Sequence, residues 1–456
     1  LPRPQFLTLV LAGLLIRAAA LPGPGTGDLT IWKVWSYYAA RHGVGEMYGI
    51  GGTPPERRAL EYAGATATVD YPPLALIELG VAGQAYWIWS HRHFPNATPL
   101  NAFVKLPGLV AEIGLTLLLF ALVRARLGVA AARLAAAAYW LNPAALFDAS
   151  ILGYLDTQYI LPAIAALAAA AAGWPAAAGA LAAAAILTKA QGLFIAPAVA
   201  LAIWTTGAPE KRTARVLAAI AGGLALSIAI VAPVALAGGW PNMLQALGRL
   251  ATHDMLSANA MNLWWVVGYL LRVRYSMHDM GLWTAITAPA KILGIQRVIE
   301  IGYPDPRTIG IALTIAAIAW ALWTASRSSH LAPRTSPDLW LFAAVGAFCV
   351  HAYATLSAQV HENHLFAAVP LLVLAAAGRP GFRPIAVGVS VVAALNLNLF
   401  YGFGDGIGYA LPRAVTIIDL TVIVALLNCF LLSWHAVTLS RECSTVNARL
   451  PPPAPA

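Results

Sequence analysis

The chain has 456 residues, of which 60% are hydrophobic and only 10% charged, with a formal net charge of +9 and a mean hydropathy of +0.71. Soluble domains carry about 25% charged residues, so this balance excludes an ordinary soluble protein and points to a multi-pass membrane protein. The basic residues come in pairs and triplets between apolar stretches, with no basic run, so they read as topology signals and nucleic acid is not expected as a partner.

The first apolar run, Phe6 to Ala20, has the length of a signal-peptide core and ends in Ala18-Ala19-Ala20. An uncleaved first span is expected, because the topology of the remaining chain needs it. With a requirement of about 20 mostly apolar residues per span, roughly twelve spans are predicted. They lie near 5–20, 102–122, 133–147, 158–173, 176–189, 191–206, 214–238, 306–326, 338–356, 362–378, 384–402 and 413–435. Alternate short loops then carry Arg3; Arg124, Arg126 and Arg133; Lys211, Arg212 and Arg215; Arg327 and Arg334; Arg379 and Arg383; and Arg441 and Arg449. That bias assigns those loops to the cytoplasm.

The same parity makes the apolar stretch 73–90 an outer-face helix lying in the interface, where Tyr86, Trp87 and Trp89 are favoured. The fold is therefore predicted to be all-α, a polytopic membrane helix bundle with outer-face loop helices. Residues 1–435 form one transmembrane domain with outer segments 21–101 and 239–305. A short cytoplasmic tail, 436–456, is expected to be disordered, because it ends in Pro451-Pro452-Pro453-Ala454-Pro455-Ala456. Ala-rich stretches at 129–138 and 163–185 predict close helix packing through small residues. Cys349, Cys429 and Cys443 show no metal-ligand or CxxC spacing and are assigned no chemistry.

On this topology Asp28, Asp70, Asp148, Asp156, Lys189, His253, Asp254, His361, Glu362, His364 and Asp405 all fall at or beyond the outer ends of spans. One-sided clustering predicts an outward-facing site, since transporters place charges near the bilayer midplane. Asp28 reads either as a helix N-cap or as a proton acceptor. Asp70, before Tyr71-Pro72-Pro73, reads chiefly as a cap for the helix that follows. Asp148 and Asp156 bracket a turn that caps a helix or contributes to a cation site, although oxygen-only sites need more donors. Lys189, followed by Ala190-Gln191, either snorkels to the interface or offers a point charge to phosphate.

His361 and His364 are three residues apart, a spacing that puts both on one face of a helix, but His-Glu-Asn-His is not the zinc motif His-Glu-x-x-His. No cofactor is expected; the residues admit a divalent metal without indicating one. Asn259 and Asn262, set beside Trp264 and Trp265, suit sugar hydroxyls and ring faces, with interface packing as the alternative.

At Gly27-Asp28, Asp70-Tyr71-Pro72-Pro73-Leu74, Leu187-Thr188-Lys189-Ala190-Gln191, Ala258-Asn259-Ala260-Met261-Asn262-Leu263-Trp264 and Val360-His361-Glu362 the chain resembles the GT-C superfamily of polyprenyl-phosphate-sugar-dependent glycosyltransferases. It is particularly similar to the dolichyl-phosphate-glucose glucosyltransferases of asparagine-linked glycan assembly and their prokaryotic relatives. The resemblance implies a GT-C-like fold and an inverting transfer of a hexose, glucosyl or mannosyl, from a polyprenyl-phosphate sugar to a lipid-linked or cell-envelope acceptor. It further implies that Asp28 is the general base and that His361 is the histidine of the family's Val-His-Glu motif. The chain departs from the eukaryotic pattern at Asn363-His364 and in its smaller number of spans.

A lipid-phosphate leaving group needs positive or hydrogen-bonding groups. Lys189, His361 and His364 suit that role with Arg249, Asn259 and Asn262, and Arg297 is in reserve; Asp70, Tyr71, Asp148, Asp156, Gln191 and Glu362 support them. The expected setting is the plasma membrane, with membrane lipid as a partner and the site extracytoplasmic. A flippase or transporter of lipid-linked sugars shares the bundle and the polar cavity. A third reading, an oligosaccharyltransferase or lipid-linked polymerase, is expected to bring a large soluble domain or a different loop pattern.

Overall fold

The computed structural model describes residues 2–49, 59–249, 252–327, 338–405 and 410–444. Arg334, Arg449 and the Pro-rich end of the tail lie outside the described residues. Among the described residues the architecture is helical apart from one short antiparallel hairpin, Leu60–Tyr62 with Ala65–Ala67. Among the described residues seven helices are long and apolar enough to cross a membrane: Arg3–Ala20, Thr98–Trp140, Pro209–Leu236, Pro306–Ser326, Leu339–Leu356, Pro380–Tyr401 and Leu420–Ser444. The expected count of twelve is not met by length. Pro175–Thr188, Asp156–Ala171 and Ala368–Gly378 have 14, 16 and 11 residues. At 1.5 Å per residue even the longest of these covers about 24 Å, short of a hydrocarbon core of about 30 Å.

The 43-residue element Thr98–Trp140 is a helical hairpin. Gly128 has φ 82° and ψ 175°, which no helix accommodates. A straight helix would separate Glu112 from Trp140 by about 42 Å, yet both touch Arg17: its Nη2 lies 2.9 Å from Glu112 Oε1 and its guanidinium 3.7 Å from the Trp140 ring centre. The chain therefore reverses at Gly128 between Arg126 and Arg133, where the sequence predicted a loop between two spans. Gly13 makes room for this contact, since a Cβ there would lie 2.2 Å from the Trp140 indole nitrogen.

Small residues close the bundle elsewhere. A Cβ at Gly179 would sit 1.8 Å from the Ala219 carbonyl oxygen and one at Gly222 would sit 2.0 Å from that of Ala176, so the helices Pro175–Thr188 and Arg212–Leu236 meet backbone to backbone.

The last helix starts and ends later than expected. Asp419 accepts from the backbone N–H of Thr421 at 2.9 Å and from its hydroxyl at 2.7 Å, a capping arrangement that sets the start near Leu420 instead of 413. The helix then continues to Ser444, so residues 436–444 of the expected disordered tail are ordered. Leu439 is fully buried and Cys443 nearly so, and that apolar contact extends the helix beyond the predicted boundary at 435.

The two long segments 21–101 and 239–305 pack on one another. In the first, Ser36 Oγ donates to the Leu79 carbonyl at 2.9 Å, joining Gly27–His42 to Pro73–Trp89. In the second, Trp240–Arg249 reaches back: Asn242 Nδ2 donates to the Gly49 carbonyl at 3.2 Å and Arg249 Nη2 to the Val69 carbonyl at 3.0 Å. A strand-like stretch then joins the 357–363 loop, with the Ala258 N–H donating to the Val360 carbonyl at 2.9 Å.

Candidate functional site

A cleft of about 380 Å³ opens where these loops converge, within the usual size of small-ligand sites. It is lined by Asp28, Trp32 and Trp35 from the helix Gly27–His42, Thr66, Thr68, Asp70 and Tyr71 from the hairpin and its exit, Lys189 and Gln191, and His253, His361, Asn363 and His364. Positions 28, 32 and 35 recur at helical spacing, so one stripe of Gly27–His42 presents a carboxylate followed by two indoles.

Asp28 stands in the first turn, but the N-cap is Thr26 and no side chain caps it. Among the described residues no hydrogen bond occupies the Asp28 carboxylate, so the capping alternative does not hold. Burial raises its pKa, reinforced by Glu362 and opposed by His361 and Lys189. The helix start is pinned from below. The Thr26 N–H donates to the Leu152 carbonyl at 3.1 Å and Trp32 Nε1 to that of Gly153 at 3.1 Å. The buried Lys105 ammonium donates to the carbonyls of Gly23 at 3.1 Å, Ser150 at 3.1 Å and Ile151 at 2.8 Å, which ties the loop before Asp28 to the turn between Asp148 and Asp156. Lys105 carried no sequence signal, because a lysine inside an apolar run shows nothing of which carbonyls it meets.

Asp70 does not cap the helix it precedes. Pro72 occupies that position without a side-chain bond. Burial raises the Asp70 pKa, and Arg249 and His253 partly offset this. Tyr71 packs its ring 5.1 Å from Trp32 and 5.4 Å from Trp35.

Lys189 does not snorkel. It is 3% exposed, sits where the helix Pro175–Thr188 gives way to extended backbone, and places Nζ 2.7 Å from Asp156 Oδ1. Burial pulls its pKa down, but Asp156 outweighs burial and raises it overall, so the side chain stays an ammonium. Asn363 Nδ2 donates to the other Asp156 oxygen at 2.6 Å. Asp148 is buried beside Asp156, yet the latter's oxygens are taken by Lys189 and Asn363. Among the described residues no group of three or more His, Cys, Asp or Glu is arranged to hold a metal.

His361 and His364 come together without the expected helix. His361 bridges to Ala258 and Asn259, and His364 opens a short 3₁₀ turn; their ring centres are 5.4 Å apart. Burial, followed by the charge of Lys189, lowers the His361 pKa to about 4, leaving a neutral imidazole at pH 7. His364 Nδ1 is 3.0 Å from the Tyr353 hydroxyl and its Nε2 3.0 Å from Gln191 Nε2. Glu362 points away toward Tyr154, whose hydroxyl donates to Oε1 at 2.5 Å.

Other expected ligands lie outside the cleft. Asn262 caps the helix Leu263–Met280 by accepting from the Trp265 N–H at 3.1 Å, and its amide donates to the Ala354 and Ser357 carbonyls at 3.3 Å each. That fully buried residue is a joint, not a sugar ligand. Asn259 adopts φ 58°, a left-handed conformation that Asn tolerates, and backs His361. Arg249 stands behind Asp70, while Arg297 is two-thirds exposed and pairs with Glu300 at 3.5 Å, far from any such role. Trp32, Trp35, Thr66, Thr68, His253 and Asn363 join the site; of these, only the Asp28-Trp32-Trp35 stripe had a readable period.

No protein-family model matches the chain, and no curated protein sequence matches it. Among solved structures, the chain is similar to the oligosaccharyltransferase of Archaeoglobus fulgidus tethered to an acceptor peptide containing the NVT sequon, with 15% identity and a TM-score of 0.42 over 96% of this chain and 55% of that one. It is also similar to the archaeal oligosaccharyltransferase AglB from Archaeoglobus fulgidus in complex with an inhibitory peptide and a dolichol-phosphate, with 16% identity and a TM-score of 0.41 over 96% of this chain and 56% of that one. The chain thus spans little more than half the length of these solved chains.

Proposed function

We propose that the chain is an inverting, GT-C-like glycosyltransferase of the plasma membrane, moving a hexose from a polyprenyl-phosphate sugar to a lipid-linked or cell-envelope acceptor on the extracytoplasmic side. The observation that carries this reading is Asp28: a half-buried carboxylate in a cleft, unused for capping, with its pKa raised by burial. Raising a carboxylate toward the working pH makes it a better proton acceptor. An acceptor hydroxyl bound there transfers its proton to Asp28 as its oxygen attacks the anomeric carbon, and the bond to the lipid phosphate breaks on the opposite face. The departing phosphate needs donors in place. Neutral His361 supplies a ring N–H, and Lys189, with one ammonium hydrogen directed at Asp156, retains two. Trp32, Trp35 and Tyr71 offer faces for the apolar side of a sugar ring.

Transport is the second reading. The cleft groups sit in a helix's first turn, at a helix C-cap and in loops, which favours an enzyme over a path through the midplane. The test incubates purified protein with synthetic polyprenyl-phosphate hexoses and a lipid extract, following release of sugar from the donor. Transfer by the wild type and none by Asp28→Asn supports the enzyme. Donor left intact but moved across a vesicle supports transport.

A further inference from the structure

At the far end of the bundle from the cleft, an apolar groove runs between the helices Ala196–Thr205, Arg212–Leu236 and Pro306–Ser326. Its walls include Pro197, Ala200, Val216, Ile220 and Leu322, and its lining is almost wholly carbon. Two half-exposed indoles, Trp204 and Trp323, flank it, the residue type favoured at headgroup depth.

The depth can be read along one helix. Arg307 Nη2 donates to the carbonyl of His253, a cleft residue, at 3.3 Å. Sixteen residues further on, Trp323 lies about 24 Å away along the axis, most of a bilayer core.

Each indole carries a guanidinium. Arg212 lies 5.4 Å from the Trp204 ring centre and Arg327 lies 4.1 Å from that of Trp323. Neither has an ion pair among the described residues, and residues 328–337 contain no Asp or Glu. The neighbouring Arg215 behaves differently. Its guanidinium is directed at the carbonyls of Ile203 and Ala208 at 3.1 and 2.9 Å, closing the end of a helix. Among the described residues Arg212 and Arg327 have no such protein partner, and each lies against an indole that lines the apolar groove.

We propose that this groove is a binding site for an anionic diacyl phospholipid, with an acyl chain between the three helices and the headgroup phosphate on Arg212 and Arg327. The carbon walls call for a chain, and two uncompensated guanidiniums at its headgroup end call for a negative charge. A zwitterionic lipid fits the walls but brings its own cation against theirs.

The test is native mass spectrometry of the full chain in detergent, titrated with phosphatidylglycerol or phosphatidylcholine of identical acyl chains. The expected result is one lipid retained, with phosphatidylglycerol favoured about tenfold, the scale of one or two basic contacts at a membrane surface. The Arg212→Gln/Arg327→Gln pair should abolish the preference while leaving chain binding. Ala200→Trp, which fills the groove from an exposed position, should abolish retention of both lipids. The lipid-free thermal midpoint of each variant reports that it has folded. Equal retention of the two lipids by the wild type overturns the proposal, as does a preference that survives in the double arginine variant.

Discussion

Two buried ion pairs stand in this molecule at nearly the same distance, and they do different work. Arg17 and Glu112 meet at 2.9 Å with both side chains fully buried; Lys189 and Asp156 meet at 2.7 Å and are almost as deep. In the first pair the bonding capacity is committed. Arg17 gives Nε and Nη2 to Glu112 and Nη1 to the Gly13 carbonyl, Trp140 covers its face, and Ser150 donates to Glu112. The second pair is closed only on the carboxylate side, while the ammonium faces the cleft between Tyr71 and Tyr159 at 5.9 Å from each ring centre. A buried charge is a joint when its partners exhaust it and a tool when they do not.

The sharpest way to test that contrast begins with Asp28, a cleft carboxylate that bears no hydrogen bond among the described residues. Asp28→Asn should cut turnover by about 10²–10⁴, the range for a lost general base, with the thermal midpoint unchanged. Wild-type turnover would remove Asp28 from the chemistry. Next come the groups proposed to face the leaving phosphate. His361→Ala and Lys189→Ala should each lower turnover per folded molecule by about 10²–10³. Lys189→Ala should also lower the thermal midpoint, because it leaves Asp156 buried with Asn363 alone, a change worth about 3–5 kcal/mol. If only the midpoint falls, Lys189 belongs with Arg17 as a joint.

Arg17→Met is the converse experiment. It should cost about the same 3–5 kcal/mol of stability and leave turnover per folded molecule intact. A turnover loss at constant folded fraction would mean that the Arg17 network reaches the cleft.

A smaller, graded effect is expected with pH. Because the raised Asp28 pKa lies above the ordinary 3.8 and the base works only when ionised, turnover should fall as pH drops through a midpoint above that value. Below it the loss is tenfold per pH unit. A midpoint at or below 3.8 would separate Asp28 from that limb. The smallest effect belongs to Arg297→Ala. An exposed pair with Glu300 at 3.5 Å should change neither turnover nor stability beyond about 0.5 kcal/mol, and a loss of transfer would return Arg297 to the site.

Composition, hydropathy and small-residue spacing were enough to establish a helical membrane bundle, the long segments between its spans, the reversal between Arg126 and Arg133, and the gathering of Asp28, Asp70, Lys189, His361 and His364. These follow from sums along the chain: transfer of side chains into lipid and helical spacing are local quantities, and a run of residues carries them by itself. Partners are not local. Asp156 is 33 residues from Lys189 and 207 from Asn363, and nothing at either position says that they will meet. Only the tertiary structure could decide that Lys189 is paired and not snorkelled, that Asn262 is a helix cap, that Asp419 begins the last helix, and that several expected spans stop short at 11 to 16 residues. A buried hydrogen bond has to be satisfied by whichever chain segment arrives, and which segment arrives is settled by the packing of the whole bundle.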